Sequence, residues 1–269
     1  MRLNRGRGAI IAKKQQKEKS RNHHDQTASA KISPAEEKPH WTAARPALTI
    51  ARMAEKTTAQ DQITLNGSGI ALMRGRTLIY EGVDFSLSSG DLLVVRGPNG
   101  SGKSSLLRAV AGFLPLASGQ ISCNGAPLNT SIQSGAVRCF WYSSADGLAG
   151  PLSAAQNLCL LPEAGDISKV KAKLADDDPF AISSFLDRDV RSLSTGQRQR
   201  VALSRLCFAM SHKCLWLLDE PNSGLDDAGH HALEDKLERH KAAGGLCIIA
   251  SHHKISERLK PLYLDLGEA

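Results

Sequence analysis

The chain has 269 residues, of which 41% are hydrophobic, 23% charged and only 4% aromatic, with a formal net charge of +7. That length supplies apolar material for one large domain or two small ones, and the scarcity of aromatics argues against a base-stacking platform for single-stranded nucleic acid. The charge is lopsided: residues 1–60 hold 13 Lys/Arg against 5 Asp/Glu, which leaves residues 61–269 at −1, so the total does not point to nucleic acid.

Residues 1–60 read as a basic, disordered tail. Gly, Gln, Lys, Ser, Thr and Ala dominate it, Pro34, Pro39 and Pro46 interrupt it, and no apolar periodicity is sustained. The apolar stretch at Ala9–Ala12 is too short for a secretory signal, and Glu18, Asp25, Glu36 and Glu37 fit a transit peptide poorly. Translation from Met53 is the alternative, since patterned sequence begins about ten residues later. Residues 61–269 read as one domain. Its six cysteines, Cys123, Cys139, Cys159, Cys207, Cys214 and Cys247, lack CxxC spacing, which disfavours a zinc site and a disulfide framework. Cys214 and Cys247 sit in apolar runs and are expected to be buried thiols, which favours a reducing compartment. No stretch approaches the ~18–20 apolar residues that span a bilayer.

Short strands are expected at Ile63–Leu65 and Ile70–Leu72, and a longer one within Leu78–Leu87, where Val83, Phe85 and Leu87 alternate. Leu92–Val95 is continuously apolar, as a parallel strand buried on both faces should be. A glycine-rich turn then leads into a helix over Ser104–Leu114, whose Leu106, Leu107, Val110 and Ala111 recur at helical spacing. A helix is expected from Ser194 to Ala209, a buried strand at Leu215–Leu218, a charged surface helix at Ala232–Ala242 and a third buried strand at Leu246–Ala250. Strands alternating with helices predict an α/β fold with a mostly parallel sheet.

Gly97-Pro98-Asn99-Gly100-Ser101-Gly102-Lys103-Ser104, followed by Ser105, fits GxxxxGK[ST] between a strand and a helix. Glycines let successive N–H groups curl around phosphate oxygens, and the helix start adds its positive dipole end. Lys103 supplies a point charge for the β- and γ-phosphates, and the Ser104 hydroxyl is placed for Mg²⁺. Cys214–Leu218 ends in Asp219-Glu220, two carboxylates at the C-terminal edge of a buried strand, where α/β sheets bind ligands. Asp219 is the candidate Mg²⁺ ligand and Glu220 the candidate general base toward water. ATP with Mg²⁺ is the expected nucleotide.

Leu193-Ser194-Thr195-Gly196-Gln197 resembles the LSGGQ signature of ABC-transporter ATPases, with Thr195 in place of one glycine. Alone, Ser194 could be an ordinary N-cap; between the two nucleotide motifs, Ser194, Gly196 and Gln197 resemble the γ-phosphate receptor that this family presents to the ATP of the opposite subunit. Ser223-Gly224-Leu225-Asp226 resembles the family's D-loop, and His252, ending the third strand, its switch histidine beside the γ-phosphate; His253 is the lesser candidate, and His230 and His231 are expected to be solvated. The resemblance covers about residues 63–266 and implies a P-loop NTPase of RecA-like core, a small helical subdomain carrying the signature, ATP hydrolysis and a head-to-tail homodimer. Asp187–Leu193, Gly97–Gly112 and Leu233–Ser251 look like the haem exporter ATPases of bacterial cytochrome c maturation. That likeness implies a separate transmembrane subunit, peripheral attachment to the cytoplasmic face of the inner membrane, and no nucleic-acid partner. The alternatives are the energising subunit of another transporter, or a soluble ABC ATPase acting on nucleic acid or ribosomes.

The chain departs from the family pattern twice. Counting back from Leu152–Leu158, the family's Mg²⁺-proximal glutamine falls near Ala145, and neither Ser144 nor Asp146 is glutamine. The aromatic that stacks on adenine belongs near Met73 or Arg74, whereas Tyr80 reads as a strand residue; weak ATP affinity is the expected consequence.

Overall fold

A computed structural model describes residues 62–143, 147–209 and 213–267. The tail at 1–60, with its alternative start at Met53, and the glutamine gap at 144–146 lie outside the described residues. Five parallel strands form the central sheet, in the order β6 (Arg138–Ser143), β7 (Cys214–Asp219), β8 (Leu246–Ala250), β3 (Leu92–Arg96), β9 (Leu262–Asp265). A second, antiparallel sheet runs β2 (Thr77–Ser88), β1 (Thr64–Arg74), β4 (Ser118–Cys123), β5 (Ala126–Pro127).

The expected apolar runs become the middle of the parallel sheet, where every residue of β7 and β8 is buried. Because side chains alternate across a strand, these strands feed two separate cores. Leu93, Val95, Leu215, Leu217 and Ile248 face one side, with the antiparallel sheet and α1 (Lys103–Val110). Leu92, Val94, Trp216, Leu218 and Ile249 face the other, where α6 (Asp227–Ala242) and the helical subdomain pack. That subdomain is built from α3 (Ala154–Leu158), α4 (Ile167–Asp176) and α5 (Thr195–Ser204), while α2 (Leu128–Gln133) lies beside β4 and β5. The α/β architecture with a helical subdomain carrying the signature is the one expected.

Boundaries differ from the expectations for identifiable reasons. The two short strands expected before Met73 are one strand, β1, with register shifts at Gly67/Ile70, Ile70/Leu72 and Leu72/Met73; Gly69 at φ +57° lies in the first of them. Helix α1 stops at Val110 because Gly112 follows at φ +79°, a C-terminal glycine terminator. Helix α6 begins five residues earlier than its apolar periodicity suggests, since the Asp226 side chain accepts from Gly229 N at 3.0 Å and caps it. Strands β4, β5, β6 and β9 and helices α2, α3 and α4 have no counterpart among the expectations.

The cysteines are free thiols, and Cys214 and Cys247 are buried as expected. Burial pushes the Cys139 and Cys214 thiols up to about 12, so neither is a nucleophile near neutral pH.

Candidate nucleotide site

Parallel register places the site. Val95 of β3 pairs with Ala250 of β8, Ala250 with Asp219 of β7, and Asp219 with Ser143 of β6. The residues that follow these positions therefore leave the sheet along one rim: the phosphate loop after β3, Glu220 after β7 and His252 after β8. This is the carboxyl edge at which parallel α/β sheets bind ligands.

Within the phosphate loop, Gly97 (φ +141°) and Gly102 (φ +97°) occupy backbone conformations and spaces that exclude a side chain. A Cβ on Gly97 would lie 2.2 Å from Leu266 O, and one on Gly102 would lie 2.6 Å from Ile79 Cγ2. The Lys103 ammonium, on a residue only 7% exposed, donates to Gly97 O at 2.8 Å and Pro98 O at 3.0 Å. It staples the loop across its own opening and is aimed where phosphates would enter.

A cavity of about 890 Å³ is bordered by Asn99, Gly100, Gly102, Lys103, Ser104 and Ser105 on the loop side and by Glu220, Ser223, His252 and His253 on the other. Gly97, Pro98 and Ser101 support it from behind: the first two hold Lys103, and Ser101 Oγ is buried against Gly97. Ser104 Oγ donates to Asp219 Oδ1 at 2.7 Å, which brings the two predicted metal ligands together. A hydroxyl and a carboxylate are hard oxygen donors that fit Mg²⁺.

Glu220 has φ +52°, unusual for a side-chain-bearing residue. Its N–H donates to Ala250 O at 2.8 Å, and its carboxylate lies 3.4 Å from both the backbone N and Nε2 of His252. The two predicted catalytic residues thus face each other across β7 and β8.

The signature residues lie elsewhere. Ser194 and Gln197 form a reciprocal cap: Ser194 Oγ accepts from Gln197 N at 3.2 Å, and Gln197 Oε1 accepts from Ser194 N at 3.0 Å. With Gly196 they border a different cavity, of about 470 Å³, beside Gly224 and Asp226. Ser194 is therefore an N-cap as well as a candidate ligand, and the signature does not join the phosphate-loop cavity of its own chain. Two residues not singled out in the sequence tie α5 to the segment after Glu220. Gln199 Nε2 donates to Ser223 O, and Arg200 pairs with Asp226 at 2.5 Å. The run of Arg and Gln after the signature was their only sequence signal.

Two expectations about neighbouring residues change. Met73 is half-exposed and does not border the nucleotide cavity, whereas Arg74, Leu78 and Ile79 do. Tyr80, in β2, packs its ring against Gly102, where burial pushes its hydroxyl pKa up. His230 is half-buried rather than fully solvated and lies 3.3 Å from the Asn222 amide nitrogen, whereas His231 is exposed as expected. Adjacent histidines in a charged helix give no sign of that partner.

A model of the ABC transporter family matches residues 80–223. The chain is 39% identical over 206 residues to the cytochrome c biogenesis ATP-binding export protein CcmA of Paramagnetospirillum magneticum, covering 75% of this chain and 94% of that protein. It is 37% identical over 203 residues to the protein of the same name from Pseudomonas putida, covering 76% and 95% respectively. Among solved structures, the ATP-binding subunit of an ABC transporter superposes with a TM-score of 0.62 at 22% identity, over 75% of this chain and 85% of that one.

Proposed function

The chain belongs to the ABC transporter family and is an ATP-hydrolysing transporter subunit; from that premise we propose that it powers haem export for cytochrome c biogenesis. What carries the cargo assignment is the 37–39% identity, over nearly the full length of the relatives, to proteins named for ATP-binding export in that process. What carries the chemistry is the convergence of Lys103, Ser104, Asp219 and Glu220 on one sheet rim.

In this assignment the loop N–H groups and Lys103 hold the β- and γ-phosphates. Ser104 and Asp219 hold Mg²⁺, which supplies charge neutralisation on those phosphates. Glu220 polarises the attacking water as general base, and His252 holds the Glu220 carboxylate and reaches the γ-phosphate. Ser194, Gly196 and Gln197 act on the nucleotide of a second copy, which accounts for their separate cavity. The functional unit is then a homodimer docked on a separate transmembrane subunit at the cytoplasmic face of the inner membrane. Among the described residues no helix is long and apolar enough to cross a membrane, and in this reading the partner supplies the translocation path. Nucleic acid has no part in this reading, consistent with the near-neutral charge of residues 61–269.

Complementation tests the cargo. In a bacterium lacking its own cytochrome c biogenesis ATP-binding export protein, supplied with this chain and its neighbouring membrane subunit, holocytochrome c should return. The Lys103→Ala chain should fail. Absence of holocytochrome from the wild-type chain, with ATPase activity intact, would assign it to another transporter.

A further inference from the structure

Glu220 sits at φ +52°, an uncommon conformation for a side-chain-bearing residue, and Gly224 at φ +74° ends the short segment that follows it beside the cavity. Such geometry persists only where surrounding contacts over-determine it. Three of those contacts are backbone bonds: Glu220 N to Ala250 O at 2.8 Å, Ser223 N to Glu220 O at 3.2 Å and Leu225 N to Asn222 O at 3.3 Å. The fourth is the Asn222 side chain, only 3% exposed. Its amide nitrogen lies 3.3 Å from His230 Nδ1, and its Oδ1 is buried with no partner among the described residues. The contact with His230 is the one side-chain polar contact of this buried amide among the described residues.

His230 has a second neighbour. Its ring lies 5.5 Å from that of His253, inclined at 54°, and His253 borders the nucleotide cavity beside His252. The His253 N–H donates to Ser251 Oγ at 2.9 Å, so the ring extends from a fixed piece of backbone after β8. One side chain of α6 thus touches both segments that leave the sheet at the hydrolytic rim. When Nδ1 accepts from the Asn222 amide N–H, the ring carries a proton on Nε2.

We propose that His230 is a positioning residue for ATP hydrolysis, tying the Glu220–Ser223 segment through Asn222 to the Ser251–His253 segment through His253. The proposal rests on the roles given above to Glu220 and His252. His230 touches no substrate; it fixes the relative placement of two groups that do. Displacements of an ångström at reacting groups cost up to about 100-fold in rate, so loss of the tie should appear in turnover. Nucleotide binding, held by the phosphate loop, should persist.

Steady-state ATPase assays on the full chain test this. His230→Ala and Asn222→Ala should each lower kcat about tenfold with KM for ATP within about twofold. His230→Asn, whose amide oxygen can accept from Asn222 in place of Nδ1, should recover most of the rate. The double variant His230→Ala/Asn222→Ala should be no slower than either single one, since both remove the same link. An unchanged kcat, a raised KM at constant kcat, additive losses or an Asn variant no better than Ala would each overturn the proposal. Should His230→Ala not fold, Asn222→Ala and His230→Asn carry the same comparison. Glu220→Gln separates the two levels: if it turns over like wild type, the catalytic assignment fails, whereas a dead Glu220→Gln beside an unaffected Asn222→Ala fails this proposal alone.

Discussion

Ser104 Oγ and Asp219 Oδ1 lie 2.7 Å apart although 115 residues separate them in the chain. The contact joins the first turn of α1 to the end of β7, and it forms because β8 separates β7 from β3 by one strand while all three run in parallel. Asp219 is 6% exposed, so its carboxylate is held rather than solvated. Asp219→Asn keeps the shape and the acceptor but removes the charge that a divalent cation needs. Its affinity for ATP with Mg²⁺ should fall about 10- to 100-fold, with little change for ATP in EDTA. Paired calorimetric titrations with and without the metal check this, and an equal loss in both would remove Asp219 from the metal.

Lys103 is buried and donates to two loop carbonyls. Hydrogen bonds to charged groups contribute about 1.5–3 kcal/mol each. Lys103→Ala should lose at least about tenfold in nucleotide affinity and, having lost both bonds to the loop, melt a few degrees lower while staying folded at about 25 °C. Fluorescent-nucleotide titration and differential scanning calorimetry distinguish this from simple unfolding.

Glu220 faces the cavity with its carboxylate against His252. Glu220→Gln should bind ATP normally and hydrolyse it at least about tenfold more slowly. Because the signature borders a separate cavity, the same variant at saturating ATP should move from monomer to dimer in size-exclusion light scattering. A persistent monomer would contradict the two-copy arrangement.

The cavity is also bordered by Arg74, Thr77, Leu78 and Ile79, and no Phe, Tyr or Trp borders it. Base–aromatic stacking contributes about 1–3 kcal/mol per base. Arg74→Tyr, on the same wall, should lower KM for ATP by about fivefold or more with kcat unaltered. A higher KM would mean that the guanidinium itself already holds the nucleotide.

His240 stacks on Trp216 at 3.8 Å, its Nε2 meets Leu246 O at 3.1 Å, and it is fully buried. Burial pushes its pKa down to about 4, from 6.5. Between those values the unfolded chain binds a proton that the folded chain refuses. Its stabilising contribution is complete above pH 6.5 and declines as pH falls toward 4, by about 2 kcal/mol at pH 5. Urea unfolding at pH 7.5 and pH 5 should show that loss. His240→Phe, which keeps a ring against Trp216 but cannot titrate, should start lower and lose less; an identical pH slope in both would exclude His240 as its source.

The phosphate loop, Asp219-Glu220 and His252 were legible because each is a short local pattern whose chemistry is carried by residue type and strand context. Leu92–Val95, Leu215–Leu218 and Leu246–Ala250 were legible because burial on both faces leaves an unbroken apolar run. Strand β4, whose residues are mostly exposed or half-buried, and the short helix α3 have neither periodicity nor length to announce them. Gln199, Arg200, Asn222 and His230 were illegible for a different reason: their partners lie 24, 26, 8 and 8 residues away and are set by packing rather than by any local repeat.

By itself, then, the sequence determined the kind of chemistry expected of this chain, because a lysine, a serine and two carboxylates in those contexts are groups suited to phosphate and metal. It also separated a basic segment from a near-neutral body. Only the tertiary structure decided which residues share a cavity. Parallel register put Glu220 opposite His252 and Asp219 under Ser104, and it left Ser194 and Gly196 in a cavity of their own. It also brought His230 against Asn222. Those relations depend on which strands are neighbours and on how a helix crosses their ends, and both are settled by burying two apolar faces at once.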